Sequence, residues 1–369
     1  METKKKGFPV AFWVCSCSEI FERLAYYLGR SLILIFVTAS VATGGLGLSD
    51  TVAANMQSNL TAFSYLLPLF GAVIVDKYIG ARYTTPVGMF IAASGYFTGG
   101  IAKSATGVYV MIFLVSLGLA LFKNGAIIGR VITDKSQMDP AFSMRYTLVN
   151  VGAFIGTFLV GILYKDVFAK DGVLGFAPCF KMAALMMVLG GLWYIFVCWR
   201  FLGDLGKLPF KKTLTEEEKA AEAKKKEEAG TKQPLTTIEK KRIGAIFVAS
   251  LFSIVFWIFW YLGYMPVYFY WAENMDWVVA GYQVPSTWFD AANSLFCVIL
   301  GPVTAALWKK LAARPQGDMS LFRKTGLGIA IIGVGYLFYA AIDIMRGGEK
   351  ASVLWLIVFA FLLTMGEMF

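Results

Sequence analysis

Glu19, Glu22, Arg23, Tyr26, Tyr27 and Arg30 stand close together inside a stretch that is otherwise apolar from Pro9 onward. On a helix turning about 100° per residue they fall, relative to Glu19, at about 0, −60, 40, −20, 80 and 20°, one polar face roughly 140° wide. Charge in apolar surroundings is costly, so this face must look onto a protein interior or a water-filled cavity, its acids and bases neutralising one another. Such a group can take up and release protons and can bind ions of either sign. A purely structural ion-pair cluster is the plainer alternative. Farther along, Lys123 is a lone ammonium in the run Leu121-Phe122-Lys123-Asn124-Gly125, and a buried lysine wants a carboxylate. Glu19 and Glu22 are its candidate partners at rest. Asn150, Asn293 and Glu367 add two amides and a carboxylate inside other apolar runs. Amides also serve as glue between membrane helices, which is the bland reading of Asn293.

The composition narrows the chemistry. The chain has no histidine, which excludes an imidazole base, an imidazole proton switch or a histidine-bearing metal site. Its five cysteines lie mostly in apolar runs without CxxC spacing, so they are read as small buried hydrophobes. No cofactor or metal is expected. The formal charge of +10 could suggest nucleic acid, but the basic residues lie in breaks between apolar runs, so no nucleic-acid partner is expected. Asn59-Leu60-Thr61 fits a glycosylation pattern but falls inside an apolar run, where glycosyl transfer cannot reach.

The elements that must position these groups are membrane helices. Apolar residues make up 58% of the 369, charged residues only 16%, and the mean hydropathy is +0.64. A bilayer core takes about 20 mostly apolar residues per helix. Ten such spans are predicted, at roughly 9–41, 51–75, 83–102, 107–131, 142–164, 177–201, 243–271, 286–309, 322–344 and 352 to the end. With Lys4 to Lys6 inside, alternation puts about 25 of the 34 Lys/Arg on the cytoplasmic side, about six outside and three within spans. The N-terminus is therefore expected in the cytoplasm. Residues 1–202 form an expected six-helix bundle, 203–241 a charged cytoplasmic linker containing the tract KKTLTEEEKAAEAKKKEEAGTKQP, and 242–369 a second bundle of four spans. The linker's charges at i,i+4 spacing suit a wet helix, with attraction to anionic lipid as an alternative.

The first polar face also carries a resemblance. Glu19-Ile-Phe-Glu22-Arg23-Leu24-Ala25-Tyr26-Tyr27 is similar to the ExxERFxYY motif of the proton-dependent oligopeptide transporters, a branch of the major facilitator superfamily, with Leu24 in place of Phe. Arg145-Tyr146-Thr147-Leu148-Val149-Asn150-Val151-Gly152 resembles that family's FYxxINxG signature, with Arg for Phe and Val for Ile. Gly71, Asp76, Gly80 and Arg82 match the GxxxDxxxGxR loop of the wider superfamily, expected to hold neighbouring helix ends in one conformation and release them in another. Lys123 stands where the family places its substrate-site lysine. Asn293 lies in a segment like the family's NPLF, and Glu367 in one like its GELF. Two departures stand out. Tyr261 and Leu262 occupy the place of the Glu-Gln pair in the family's seventh-span FWxxxEQ. The chain also ends at Phe369, where two further spans are expected, which suggests a fragment or an abnormally short second half.

The resemblance implies an all-α membrane protein of major-facilitator-type bundles, about ten of twelve transmembrane helices present, carrying di- and tripeptides with protons by alternating access. A peptide zwitterion would sit near the bilayer midplane between the bundles. Arg23, Arg30 and Lys123 could hold its carboxylate, Glu367 with Asn150 and Asn293 its amine, and Tyr26, Tyr27 and Tyr65 its side chains. Glu19, Glu22 and Arg23 are the expected proton-coupling group. Partners are peptides, protons and membrane lipid, in the plasma membrane. Another major-facilitator carrier, for nitrate, amino acids or drugs, and a transport-inactive truncated scaffold remain alternatives; an enzyme is not expected.

Overall fold

The computed structural model describes residues 7–134, 137–210, 236–264, 266–317 and 319–369. The charged tract expected as the linker's centre and the lysines used for orientation lie outside them. The chain divides into two compact units, Met1–Lys212 with Gln283–Val298, and Thr213–Tyr282 with Ile299–Phe369.

The first unit begins with α1 (Val10–Thr38), α2 (Asp50–Lys77), α3 (Ala81–Gly99), α4 (Ala105–Leu121) and α5 (Asn124–Val131). It continues with α6 (Met138–Ile162), which runs on as a π turn over Leu163–Val167, and α7 (Phe176–Arg200). The first turns of α10 (Trp288–Ala312) belong to this unit too. Local sequence fixes the ends. The Ser49 hydroxyl accepts from the Val52 N–H at the start of α2, where Asp50 meets the positive pole, and Lys77 closes its last turn. Small residues let α6 lie against α1: a methyl on Gly156 would come within 2.4 Å of the Leu24 carbonyl oxygen, and one on Gly152 within 2.8 Å of the Ile20 oxygen. Phe12, Val75, Ile128, Tyr194 and Val197 meet in a buried cluster where α1, α2, α5 and α7 converge.

The second unit holds α8 (Thr237–Tyr264), α9 (Pro266–Asn274), the rest of α10, α11 (Leu321–Met345) and α12 (Leu354–Glu367). Two short strands, β1 (Met275–Asp276) and β2 (Ala351–Ser352), pair in parallel. The start of α8 is set by a capping box. The Glu239 carboxylate accepts from the Thr236 N–H at 2.8 Å, and the Glu239 N–H donates to the Thr236 hydroxyl at 3.2 Å. The helix therefore begins within residues expected to be linker. Trp271 is 1% exposed and packs edge-on to Tyr339, with a centroid distance of 4.3 Å, and against Phe359.

Among the described residues each expected span finds its helix, one of them broken. Seven helical stretches among the described residues are long and apolar enough to cross a membrane. Alpha1, α3 and α12 fall outside that count: four charges interrupt α1, α3 is rich in Gly, Thr and Ser, and α12 has only 14 residues. The expectation of one continuous fourth span needs correcting, because Phe122 is extended and Lys123 leaves helical geometry before α5 begins. Side chains take over the backbone's duties there. The Lys123 N–H donates to the Thr85 hydroxyl at 3.3 Å, and the Asn124 amide donates to the Cys15 carbonyl at 2.9 Å.

Candidate functional site

The face of α1 is buried as its sequence requires: Glu19, Glu22, Tyr26 and Arg30 are all inaccessible or nearly so. Glu22 is clasped by its neighbour. Arg23 Nε donates to Oε2 at 2.5 Å and Nη2 to Oε1 at 2.8 Å, a two-pronged pair, and the guanidinium also lies 5.1 Å from the Tyr26 ring centroid. One turn earlier, Glu19 reaches across to α6. Arg145 Nε and Nη2 both stand 2.9 Å from Glu19 Oε1, and the Asn124 amide donates to the same oxygen at 3.1 Å. Two turns beyond Glu22, Arg30 lies 5.7 Å from the Tyr27 ring centroid and 3.7 Å from the Asp290 carboxylate on the first turn of α10. That turn is seated on α6, with the Trp288 indole N–H donating to the Phe158 carbonyl at 3.1 Å and the two rings stacked at 4.6 Å. Thus three acid–base pairs lie along one helix, two of them closed by direct hydrogen bonds and one longer.

Lys123 corrects an expectation. Neither Glu19 nor Glu22 is its partner; its ammonium donates to the Pro68 carbonyl at 2.9 Å, and the carboxylate within its electrostatic reach is that of Asp76. Arginines already satisfy the two α1 carboxylates, so the lysine turns to the backbone of α2. Asn150 is buried, and its amide donates to the Tyr146 carbonyl one turn back at 3.1 Å. Tyr65 is 70% exposed on α2, with Tyr26 and Tyr27 in its electrostatic neighbourhood. Asn293 is buried on α10, and Glu367 is the last residue of α12 in the second unit. Tyr261, where the resemblance leads one to expect an acid, packs tilted against Trp257 and edge-on to Trp260.

The loop between α2 and α3 is a clamp on the end of α7. A Cβ at Gly80 would fall 2.1 Å from the Gly206 carbonyl oxygen, so only glycine permits the approach. The Arg82 N–H then donates to Gly206 at 3.1 Å, while its guanidinium donates to the Cys198 carbonyl at 2.6 Å and to that of Gly203. A cation thereby closes the negative pole of α7. Gly71 lets α2 touch α4, since a methyl there would overlap the Ala120 carbonyl at 1.9 Å, and Asp76 sits half-buried a turn later. In the strand of chain that Arg82 grips, Lys207 lies 2.5 Å from Asp204 and holds its carboxyl below the usual range.

Sequence reasoning missed three contributors. In the sequence Arg145 stands out only as a departure from a signature, although a base inside an apolar run calls for an acid. Asp290 carried the same signal in reverse. Asn124 had none, because an amide beside a helix break is common.

Comparison with known proteins places the chain. Residues 205–369 match the family model described as "PTR2: POT family". Over 98% of its length the chain is 24% identical to the peptide transporter YePEPT of Yersinia enterocolitica and 23% identical to a di-/tripeptide transporter of Lactococcus lactis subsp. cremoris. It covers 80% and 81% of those two proteins. Among solved structures, a peptide transporter POT mutant in complex with sulfate superposes with a TM-score of 0.85 at 23% identity, over all of this chain and 81% of the other. A POT family transporter in complex with 5-aminolevulinic acid gives 0.85 at 22% identity, over 99% and 82%. Over residues 205–369 and in its fold, this multi-pass membrane protein is similar to the POT family of transporters.

Proposed function

We propose that the chain carries di- and tripeptides across the cell membrane together with protons, by alternating access, with its N-terminus in the cytoplasm. The observation that carries this reading is the row of acid–base pairs on α1, Glu19–Arg145, Glu22–Arg23 and Arg30–Asp290, held inside a membrane helix. Charges at that depth are costly, and a carboxylate facing an arginine can trade its ionic partner for a proton. Once the acid is neutral, the guanidinium is available to a substrate carboxylate, so proton and peptide act as linked ligands. Arg30 and Lys123 are assigned the peptide carboxylate. Glu367, with Asn150 and Asn293, is assigned the amine, while Tyr26, Tyr27 and Tyr65 accept varied side chains. Glu19 and Glu22, with Arg23, are assigned the coupling proton. The Gly71–Arg82 loop, bound to the end of α7, is assigned the conformational switch.

Counterflow tests the substrate class apart from the coupling. Liposomes preloaded with an unlabelled dipeptide should take up labelled dipeptide, and an excess of nitrate or a single amino acid should leave that exchange unchanged. Exchange abolished by nitrate, or absent for dipeptides and present for amino acids, would move the chain to another class of carrier.

A further inference from the structure

The start of α10 is held to α6 by contacts that the proposed function leaves unused. The Lys165 ammonium, on the π turn that ends α6, donates to the Gln283 carbonyl at 2.6 Å. Four residues earlier, Gly161 lets the chain close in. A Cβ there would fall 2.7 Å from the Thr287 hydroxyl oxygen, 2.8 Å from Pro285 Cβ and 2.9 Å from the Trp288 indole nitrogen. About one turn before that, the Phe158 carbonyl accepts from the Trp288 indole at 3.1 Å, and the two rings stack with centroids 4.6 Å apart. Thr287 and Phe289 are buried. We propose, resting on the alternating-access reading above, that Gln283–Val298 is a latch: docked on α6 it closes one mouth of the transport pathway, and in each cycle it must leave α6 while α10 bends over Val298–Pro302.

Two features make this a latch rather than a permanent strut. The first is that α10 is divided: it belongs to the first unit up to Val298 and to the second from Ile299 onward. Just past that junction Pro302 has no N–H to offer the Val298 carbonyl, and Gly301 has nothing within 4 Å of where a Cβ would stand. The Thr304 hydroxyl donates back to the Leu300 and Gly301 carbonyls at 2.9 and 3.1 Å. A proline that removes a helical hydrogen bond, beside a glycine and a threonine bonded back to the helix, is where a helix bends. The second feature is the kind of contact. A hydrogen bond to a carbonyl and a ring stack are each modest, so a dock built from them can open repeatedly without unfolding α6. With the N-terminus inside, as proposed, this is the external end of α6, while the Arg82 clamp on α7 lies at the cytoplasmic end. Asn293, assigned above to the peptide amine, rides on the latched segment, and Asn150 stands on the helix that receives it. Undocking therefore parts the two amides, so opening this mouth also weakens the hold on substrate.

The test uses the purified full chain in liposomes. Lys165→Cys and Gln283→Cys, combined and joined by a short bifunctional thiol reagent that a reductant cleaves, tie the latch shut where the hydrogen bond stood. Dipeptide counterflow should fall by about tenfold or more when the tie forms and return when it is cleaved. The tied protein in detergent should keep its affinity for dipeptide. Each single variant, and the wild type with its five native cysteines, should be indifferent to the reagent. Gly161→Val, whose side chain overlaps Thr287, Pro285 and Trp288, should loosen the latch and raise the KM of exchange by about tenfold. It should also open a thiol introduced by Thr287→Cys to an impermeant maleimide. Trp288→Phe, which keeps a ring to stack but loses the donor, should do both to a smaller extent. Counterflow that continues at the untied rate, or equal reactivity of Thr287→Cys in the wild-type, Gly161→Val and Trp288→Phe backgrounds, would overturn the proposal. Should Gly161→Val fail to fold, the tie and Trp288→Phe decide. No exchange in the untied wild type would overturn the transport reading instead, and the maleimide reactivity would still judge the latch.

Discussion

Replacing Arg23 by Gln would strand a carboxylate that has no access to water. The Glu22 side chain is 0% exposed and takes both prongs of the Arg23 guanidinium, at 2.5 and 2.8 Å. Breaking a buried pair by removing one partner costs about 3–5 kcal/mol. Arg23 keeps 28% of its side chain exposed, so the lower end applies, about 3 kcal/mol. Glu22→Gln strands the guanidinium less severely, since that end is partly wet, and should cost about half as much. The double variant removes both charges, and its loss should fall short of the sum by about 2 kcal/mol, a factor of roughly 30 in the unfolding equilibrium. The assay is thermal unfolding of the four detergent-solubilised proteins at neutral pH, read as a double-mutant cycle. Acidification should shrink the Arg23→Gln deficit, because a protonated Glu22 carries no uncompensated charge. Losses that simply add, or a deficit indifferent to pH, would refute the claim that this pair is a coupled buried unit.

Four further outcomes are expected. Lys123→Ala should abolish gradient-driven uptake while lowering stability by only ~1.5–3 kcal/mol, since the ammonium's direct partner is the Pro68 carbonyl; normal driven uptake by the folded variant would remove Lys123 from the substrate site. Glu19→Gln and Glu22→Gln should stop accumulation yet retain counterflow, and equal loss of both activities would favour a structural role. Gly156→Val should destabilise the first unit by ~3 kcal/mol or more because Leu24 backbone lies 2.4 Å from the new Cβ, whereas Gly333→Ala, with nothing within 4 Å, should be tolerated; melting curves distinguish them. An N-acetylated dipeptide should bind about ten- to a hundredfold more weakly than its free parent, and Glu367→Gln should shrink that preference; equal affinities in the wild type would exclude recognition of the amine.

The helices were legible because each apolar run is long and each break is polar, and their ends moved by only a few residues. What escaped was the backbone between them. Nothing in Leu121-Phe122-Lys123 marks a helix break, since no proline or glycine falls there; the break is held by Thr85 and Asn124, side chains whose reach is a tertiary matter. The polar face of α1 was legible from the helical period alone, as was the need for its charges to be paired. Which charges pair was not. Periodicity placed Arg23 beside Glu22 on one face, but only the close approach of α6, permitted by Gly152 and Gly156, brings Arg145 to Glu19 and leaves Lys123 to α2. Asp290 is of the same kind, since its partner Arg30 is 260 positions away in sequence.

The central claim is that proton movement through this chain drives peptide accumulation. Its most direct measurement is uptake of a labelled dipeptide into liposomes containing the purified protein, with an inward proton gradient, without one, and with a protonophore. The account predicts accumulation above the external concentration only while the gradient lasts, and simple equilibration otherwise. Uptake that reaches the same level in all three conditions would contradict it.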